Sequence, residues 1–357
     1  MPANRTRRHC ASRCFSLCLR LGLCVAFVLA VLTACSCGGR DHRESPTSSA
    51  APRVLLITAH PDDETMFNLG RFRERGWDVS VALVTNGENG QVVQAIRDHY
   101  DPTTDDILVE KHPGHGTWLT RPPKGPHLRE IVTHVALARE RHREFIDSLS
   151  YHGVTTIYFL SDLQRADFED SWDNGVANWD KGLLAERLGQ VVRLARPDII
   201  ITLNPDETWA HPQHWGLARI AESLLDKGGF DTPGRPRPAL YGIREHGWYK
   251  RSLASQSGDI QFDRTAFSQV LQKTYAEYWK EATSSYISQS SHPDWFAARV
   301  RVGILPGYGA VDIIRRLGAA SERPALDVLF ERYPPDRAKM ARLPSTPEVV
   351  DLSIVIP

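Results

Sequence analysis

The sequence predicts an α/β fold in which helices cover both faces of a mostly parallel sheet. Residues 54–58 form a short, apolar run, which is typical of a strand buried on both faces, and further strands are predicted at 79–84 and 199–203. Helical patterns lie between these runs, and such alternation favours parallel strands joined by crossover helices. All six cysteines lie within the first 37 residues, so the predicted domain has neither a disulfide framework nor a thiolate metal site.

The elements can be assigned in order from residue 53. The first strand is followed by a helix over about 64–75, which we expect to end at Gly76, because glycine is common just after a helix C-terminus. The second strand ends at the turn-forming run 85–90. The later elements are a long helix at about 128–149, a strand at 155–160, a helix at about 183–194 and a helix at 271–284. Patterns weaken after about residue 240.

The first 35 residues are predicted to be a signal peptide of the lipoprotein type. Five arginines and no acidic residue precede the apolar run 21–34, which is short for a membrane span. The run ends in Leu32-Thr33-Ala34-Cys35, which resembles a bacterial lipobox, so Cys35 is the predicted lipidation site. Ordinary secretion and an uncleaved anchor helix are the alternatives. Residues 36–52, rich in Gly, Ser and Pro, are expected to form a flexible tether.

The charge distribution argues against a nucleic-acid partner. The chain has 43 basic and 43 acidic residues, and removing the arginine-rich start leaves an acidic excess of five. A nucleic-acid-binding surface would need a basic excess instead. The expected partners are therefore a small molecule or glycan as substrate, and a membrane contacted through the lipid anchor alone.

Two groups of potential metal ligands follow predicted strands. His60 and Asp63, in the motif Ala59-His60-Pro61-Asp62-Asp63-Glu64, are three residues apart and can face one point. His211 and His214, in His211-Pro212-Gln213-His214, repeat this spacing after the strand at 199–203. Acids at a helix start and paired surface histidines also occur without a metal. Together, however, the motifs supply two histidines and an aspartate for a catalytic zinc ion, and one further aspartate and histidine remain.

The remaining residues meet the other needs of amide hydrolysis. Zinc activates water at neutral pH, and a carboxylate beside a ligand can accept the proton of that water. An imidazolium can protonate the poor amine leaving group. The sequence argues against a serine or cysteine nucleophile, since the domain has no cysteine and no Gly-x-Ser-x-Gly elbow.

The two motifs together resemble the PIG-L/LmbE family of zinc-dependent N-deacetylases. Agreement extends to Thr85-Asn86-Gly87-Glu88, Arg141 with Glu144, Pro197-Asp198 and Ser288-Gln289. The resemblance covers about residues 53–290 and implies a Rossmann-like three-layer fold that acts on N-acetylglucosamine-type substrates. It also implies that His60, Asp63 and His214 bind zinc and that Asp62 is the general base. His211 would stabilise the oxyanion or protonate the leaving amine.

The chain departs from this family in two places. The family commonly has aspartate at the position of Gln213, where it is expected to support the neighbouring histidine. Residues 91–127 resemble an insertion, whose histidines are either solvated or ligands of a second metal. These histidines are His99, His112, His115 and His127. Residues 291–357 are predicted to be a C-terminal extension packed on the domain.

Three residues are candidates for substrate binding. Trp172 and Trp179 lie in the polar segment 161–180 and can form a wall for a sugar ring, although packing of the loop explains them equally well. Asp206, at a predicted strand end, can bind a sugar hydroxyl. The expected function is removal of an N-acetyl group from an amino-sugar-containing substrate. The alternatives are an exported zinc hydrolase of another amide or ester, and a sugar-binding lipoprotein without turnover.

Overall fold

The computed structural model describes residues 51–88, 134–208, 210–244, 258–286, 311–318 and 323–353, together with the backbone of two short strands at 100–101 and 106–107. The predicted signal peptide with Cys35, the four histidines of the predicted insertion and the Ser288-Gln289 pair lie outside the described residues. No helix among the described residues is long and apolar enough to cross a membrane.

An eight-stranded sheet forms the centre of the described domain, in the order β12-β5-β2-β1-β6-β7-β11-β8. Its strands are β1 (Arg53–Thr58), β2 (Asp78–Leu83), β5 (Thr156–Phe159), β6 (Ile199–Leu203), β7 (Ala239–Ile243), β8 (Ile260–Asp263), β11 (Val311–Leu317) and β12 (Glu348–Asp351). Two small antiparallel pairs lie outside this sheet: β3 (Tyr100–Asp101) with β4 (Asp106–Ile107), and β9 (Phe267–Ser268) with β10 (Lys273–Thr274).

The neighbouring strands from β12 to β7 run parallel, whereas β11 is antiparallel to both β7 and β8. The helices are α1 (Gly70–Arg73), α2 (His134–His152), α3 (Lys181–Ala195), α4 (Pro212–Asp226), α5 (Tyr275–Thr283), α6 (Leu326–Arg332) and α7 (Arg337–Met340). The prediction of an α/β fold with a mostly parallel sheet is confirmed.

Side chains of the central strand β1 point alternately into two apolar cores, one on each face of the sheet. Val54 and Leu56 pack into the core that includes Phe145 of α2, whereas Leu55 and Ile57 pack into the core that includes Leu188 of α3. A strand buried on both faces has no need of polar positions, which explains why the run 54–58 is continuously apolar.

The predicted helix over 64–75 is interrupted in the structure. A short 3-10 turn spans Asp63–Met66, Phe67 is extended with φ −124° and ψ 140°, and the single helical turn α1 follows. The interruption places Phe67 fully in the core, and the Asn68 side chain then accepts a hydrogen bond from the Gly70 amide at 3.1 Å. Gly76 ends this segment with φ +61°, as its residue type predicted.

Residues after 240 contribute strands and core contacts that their sequence pattern does not reveal. Strand β11 lies within the sheet, and β12 forms one edge of it. Phe330 of α6 stacks on Trp77 and Phe72, with ring centroids 4.9 Å and 5.5 Å away. These three rings are buried together on the face of the sheet that α2 also covers.

Candidate active site

The two predicted motifs meet because their strands are neighbours. Strands β1 and β6 pair in parallel, with Val54 opposite Ile199, so their carboxyl ends lie at the same edge of the sheet. His60 lies in the turn just after β1. The loop after β6 leads to α4, where His211 is the N-cap residue and His214 lies in the first turn. Ligands of open α/β sheets commonly bind at this edge.

The turn after β1 holds Asp63 in a fixed orientation. Its Oδ2 accepts hydrogen bonds from the backbone amides of Ala59 and His60, at 2.9 and 2.8 Å. Its Oδ1 lies 3.0 Å from Nε2 of His214. The carboxylate is therefore anchored through Oδ2 and presents Oδ1 to His214.

The donor atoms of His60, Asp63 and His214 are spaced as a zinc ion requires. Nδ1 of His60 lies 3.0 Å from Nε2 of His214 and 3.5 Å from Oδ2 of Asp63. Tetrahedral zinc with bonds of about 2.0–2.1 Å separates its ligand atoms by about 3.3 Å. Ligand atoms of His60, His211 and His214 also lie within 4.8 Å of one another. The chemistry and spacing of these donors thus fit zinc.

The electrostatics of the cluster favour a bound cation. Burial opposes protonation of His60, but Asp63 and Asp170 together raise its pKa well above the ordinary value. Burial likewise opposes ionisation of Asp63, yet His214 and His60 keep the pKa of its carboxyl well below the usual range. Buried carboxylates against imidazoles need a positive charge, which either a proton or a divalent metal can provide.

His211 is held as a neutral hydrogen-bond donor. Its Nδ1 accepts the backbone N–H of Gln213 at 3.2 Å, so the hydrogen of the neutral ring is on Nε2. Burial, and then the neighbouring His60 and His214, lower the pKa of His211 to about 2. The ring therefore carries no charge near neutral pH, which disfavours the expected imidazolium acid and favours the expected oxyanion contact.

The two other acids of the first motif, Asp62 and Glu64, are both buried. Asp62 precedes the anchored Asp63 in the same turn, and its carbonyl accepts the Thr65 hydroxyl at 2.7 Å. Glu64 is instead held by Ser148 of α2 and by Tyr286, which follows α5. The Oε1 atom of Glu64 accepts a hydrogen bond from the hydroxyl of each. Burial raises the pKa of Glu64 to about 8, so this side chain is largely uncharged at neutral pH and forms part of the buried core.

The two tryptophans of segment 161–180 have different surroundings. Trp179 is buried against Phe168, and its indole N–H donates to the carbonyl of Glu169 at 2.9 Å. That position favours the loop-packing alternative for Trp179. Trp172 is 48% exposed and makes an edge-to-face contact with His211, with ring centroids 4.5 Å apart. Of these two tryptophans, only Trp172 is available to a ligand beside the histidines.

Asp206 lies beyond the end of β6, with its carboxylate largely in solvent. The side chain is 68% exposed and pairs with Arg315 of β11 at 3.3 Å. Among the described residues, the Asp206 carboxylate makes no direct contact with the histidine cluster.

Sequence reasoning missed the part that Asp170 plays at the site. Its Oδ1 lies 3.4 Å from Nε2 of His60, and its backbone N–H donates to Glu88 at 2.8 Å. Burial opposes its ionisation, but His60 and Arg141 lower the pKa of Asp170 to about 2. Asp170 lies in an acid-rich loop with no ligand-like spacing, so no sequence signal distinguished it from its neighbours.

Arg141, which the sequence predicted to form a structural pair with Glu144, and Glu88 border the same site. The Arg141 guanidinium donates to the carbonyl of Gly87 at 3.0 Å and lies 4.0 Å from Asp170. The turn after β2 and helix α2 are therefore joined at the edge of the histidine cluster. A cation and two carboxylates close together offer hydrogen-bond groups that suit a ligand with several hydroxyl groups.

Comparison with known proteins agrees with this arrangement. Residues 55–225 match the model of the family described as PIG-L, GlcNAc-PI de-N-acetylase. A 1D-myo-inositol 2-acetamido-2-deoxy-alpha-D-glucopyranoside deacetylase of Streptomyces scabiei is 30% identical over 188 residues, which are 49% of each chain. The enzyme of the same name from Kineococcus radiotolerans is 29% identical over 179 residues, 48% of this chain and 44% of its own.

The chain spans about half the length of these curated relatives. A conserved protein of Thermus thermophilus with a known crystal structure aligns with 77% of this chain and 96% of its own, at 18% identity and a TM-score of 0.43. The family match runs from β1 to the end of α4 and so includes both histidine motifs. The similarity to the PIG-L family is therefore located in residues 55–225 of this chain.

Proposed function

We propose that this protein is a zinc-dependent hydrolase that removes the N-acetyl group from an amino-sugar-containing substrate. The observation that carries the proposal is the convergence of His60, Asp63 and His214 beside the neutral His211, with Asp62 next to Asp63 in the same turn. The names of the similar deacetylases support the amide bond and the amino sugar as targets.

Each residue of the cluster has one task in this reaction. His60, Asp63 and His214 would hold zinc, which when bound supplies a Lewis acid that activates water near neutral pH. Asp62 accepts the proton released from the attacking water. His211 donates a hydrogen bond from Nε2 to the oxygen of the acyl group as negative charge develops there. Because His211 is neutral, Asp62 is also the group that can return a proton to the leaving amine.

The sugar is bound by the surroundings of the cluster. Trp172 offers an exposed indole next to His211, and aromatic rings pack well against the apolar face of a pyranose. Asp170, Glu88 and Arg141 offer buried polar groups suited to hydroxyls on the other side. We also propose that the protein is exported and anchored by a lipid on Cys35, a proposal that rests on the lipobox-like sequence.

The proposed roles can be separated by substitution. His60→Ala, Asp63→Ala and His214→Ala should each lose bound zinc and deacetylase activity together. Asp62→Asn should retain zinc and lose about 10²–10⁴-fold in kcat, the usual effect of removing a general base. The assay is acetate release from acetylated amino sugars, oligosaccharides and glycolipids, with metal content measured in parallel.

Asp226→Asn is the matched control, because this exposed acid lies at the far end of α4. It should change neither zinc content nor turnover. Near-normal turnover of Asp62→Asn would refute the base assignment, and active protein without any divalent metal would refute the zinc mechanism.

A further inference from the structure

Gln213 is completely buried between the histidine cluster and the segment 161–180, and it makes three side-chain hydrogen bonds there. It lies in the first turn of α4, one residue before His214. Its carboxamide does not reach His211; only its backbone N–H contacts that ring. The support expected for the neighbouring histidine thus comes from the backbone, and the side chain is used elsewhere.

The hydrogen bonds of Gln213 determine which way its amide faces. One end lies 2.5 Å from the carbonyl of Glu169 and 3.1 Å from the carbonyl of Gly175. Carbonyl oxygens only accept hydrogen bonds, so this end must be the NH₂ group, with one hydrogen for each carbonyl. The other end is therefore the oxygen Oε1, which lies 2.7 Å from Nε2 of His60.

This orientation in turn determines where His60 carries its hydrogen. Because Oε1 can only accept, Nε2 of His60 must donate, and the lone pair of the neutral ring is left on Nδ1. Nδ1 is the atom that faces His214 and Asp63. We propose that Gln213 is a positioning residue that holds His60 in the Nε2–H tautomer, so that Nδ1 binds the metal. This inference rests on the proposed zinc site.

The same contacts indicate that a carboxylate cannot replace this amide. An acidic partner usually strengthens a metal-binding histidine. Here, however, Gln213→Glu would place a charged oxygen against the carbonyls of Glu169 and Gly175 in a buried site, where unpaired negative charge is costly. The loop also packs closely on α4 at this point. Gly175 has φ +52°, and a Cβ there would lie 2.9 Å from Cβ of Pro212.

The test compares wild-type protein with Gln213→Glu and Gln213→Met, and uses Gln164→Glu as a matched control. Gln164 is exposed in the same segment, so its substitution adds the same charge outside the cluster. Zinc dissociation constants are measured by competition with a chromophoric chelator. Long-range ¹H–¹⁵N correlation spectra of zinc-loaded protein show which nitrogen of His60 carries the hydrogen and which binds zinc.

We expect wild-type protein and Gln164→Glu to bind zinc equally, through Nδ1 of His60, with hydrogen on Nε2. Gln213→Glu and Gln213→Met should each bind zinc about 10–100-fold more weakly, the usual effect of losing an outer hydrogen-bond partner. If the acidic variant does not fold, as judged by circular dichroism of the metal-free protein, the Met variant decides.

Two results would overturn the inference: zinc binding by both variants as tight as in wild-type protein, or zinc on Nε2 of His60. Neither result would contradict the proposed deacetylase activity, because both experiments measure zinc binding and not catalysis. Wild-type protein that binds no zinc would instead contradict the proposed function, and this inference with it.

Discussion

Among single residues, Trp172 and Trp179 show how burial separates two roles within one loop. Trp179 completes a packed cluster with Phe168, whereas Trp172 leaves about half of its surface to solvent beside His211. An exposed indole beside a proposed catalytic group contributes to binding when a ligand covers its apolar surface. Contact with one face of a sugar ring would remove apolar surface from water worth about 1–2 kcal/mol.

We therefore expect Trp172→Ala to raise KM for a sugar substrate about 5–30-fold, with a smaller effect on kcat. Trp172→Phe should restore part of the affinity, because a smaller ring covers less of the sugar. Steady-state kinetics of both variants measure this. Phe267→Ala is the control, since Phe267 is an aromatic residue of similar exposure on β9. Identical KM values for wild type and Trp172→Ala would exclude stacking.

A site residue could be predicted from the sequence when it belongs to a short motif with ligand-like spacing, and not when its contacts arise only from the fold. His60, Asp63, His211 and His214 were identified because spacing within a short motif, placed at a strand end, already indicates a shared ligand. Gln213 and Asp170 act on His60 through contacts that the fold of segment 161–180 creates. No local pattern encodes such contacts. The direction of the Gln213 amide, in particular, follows from two carbonyls far from it in sequence.

Among the elements, helix α2 is notable for the histidine it buries near its C-terminal end. His152 is 4% exposed, and its Nδ1 lies 3.0 Å from the hydroxyl of Tyr278 on α5. Burial, and then the charge of Arg73, lower the pKa of His152 to about 3. In the unfolded chain this histidine titrates near pH 6.5. Below that pH the unfolded state therefore binds more protons than the folded state does.

Acidification should accordingly destabilise the contact between α2 and α5. The loss begins as pH falls through about 6.5 and continues towards pH 3, at about 1.4 kcal/mol per pH unit for this residue. His152→Asn keeps a polar group near the position of Nδ1 but cannot titrate. Urea unfolding of both metal-free proteins between pH 7 and pH 5 should show a stability difference that changes with pH in favour of the variant. Parallel pH profiles would show that His152 is not responsible.

The elements themselves were predictable where a single pattern decides them. Strands β1, β2 and β6 and helix α3 have the apolar runs or caps that their positions require. Helix α4 was not predicted from the sequence. The predicted helix at 64–75 failed because Phe67 is drawn into the core, which outweighs local helix preference. Strand β11 was missed because its sequence includes Asp312, Arg315 and Arg316. Asp312 is nonetheless buried, where it pairs with Arg264.

For the whole molecule, the proposed anchor makes a clear prediction about location. Cys35→Ala should abolish lipid incorporation and leave the protein unprocessed or misplaced, because no other residue of the lipobox-like sequence carries a thiol. Cys37→Ala is the matched control, since this cysteine lies two residues further on. The measurements are labelling with a radioactive fatty acid and separation of membrane from soluble fractions. Equal labelling and membrane association of both variants would eliminate the lipoprotein proposal.

The position of β11 has a consequence for the growing chain. This strand lies between β7 and β8, although it follows both of them in sequence, and β8 pairs with no other strand among the described residues. In a chain that ends before residue 311, the edge of β7 that β11 occupies has no partner among the other described strands. Open strand edges invite association with other chains. We expect a chain that ends before residue 311 to self-associate more readily than the full chain does.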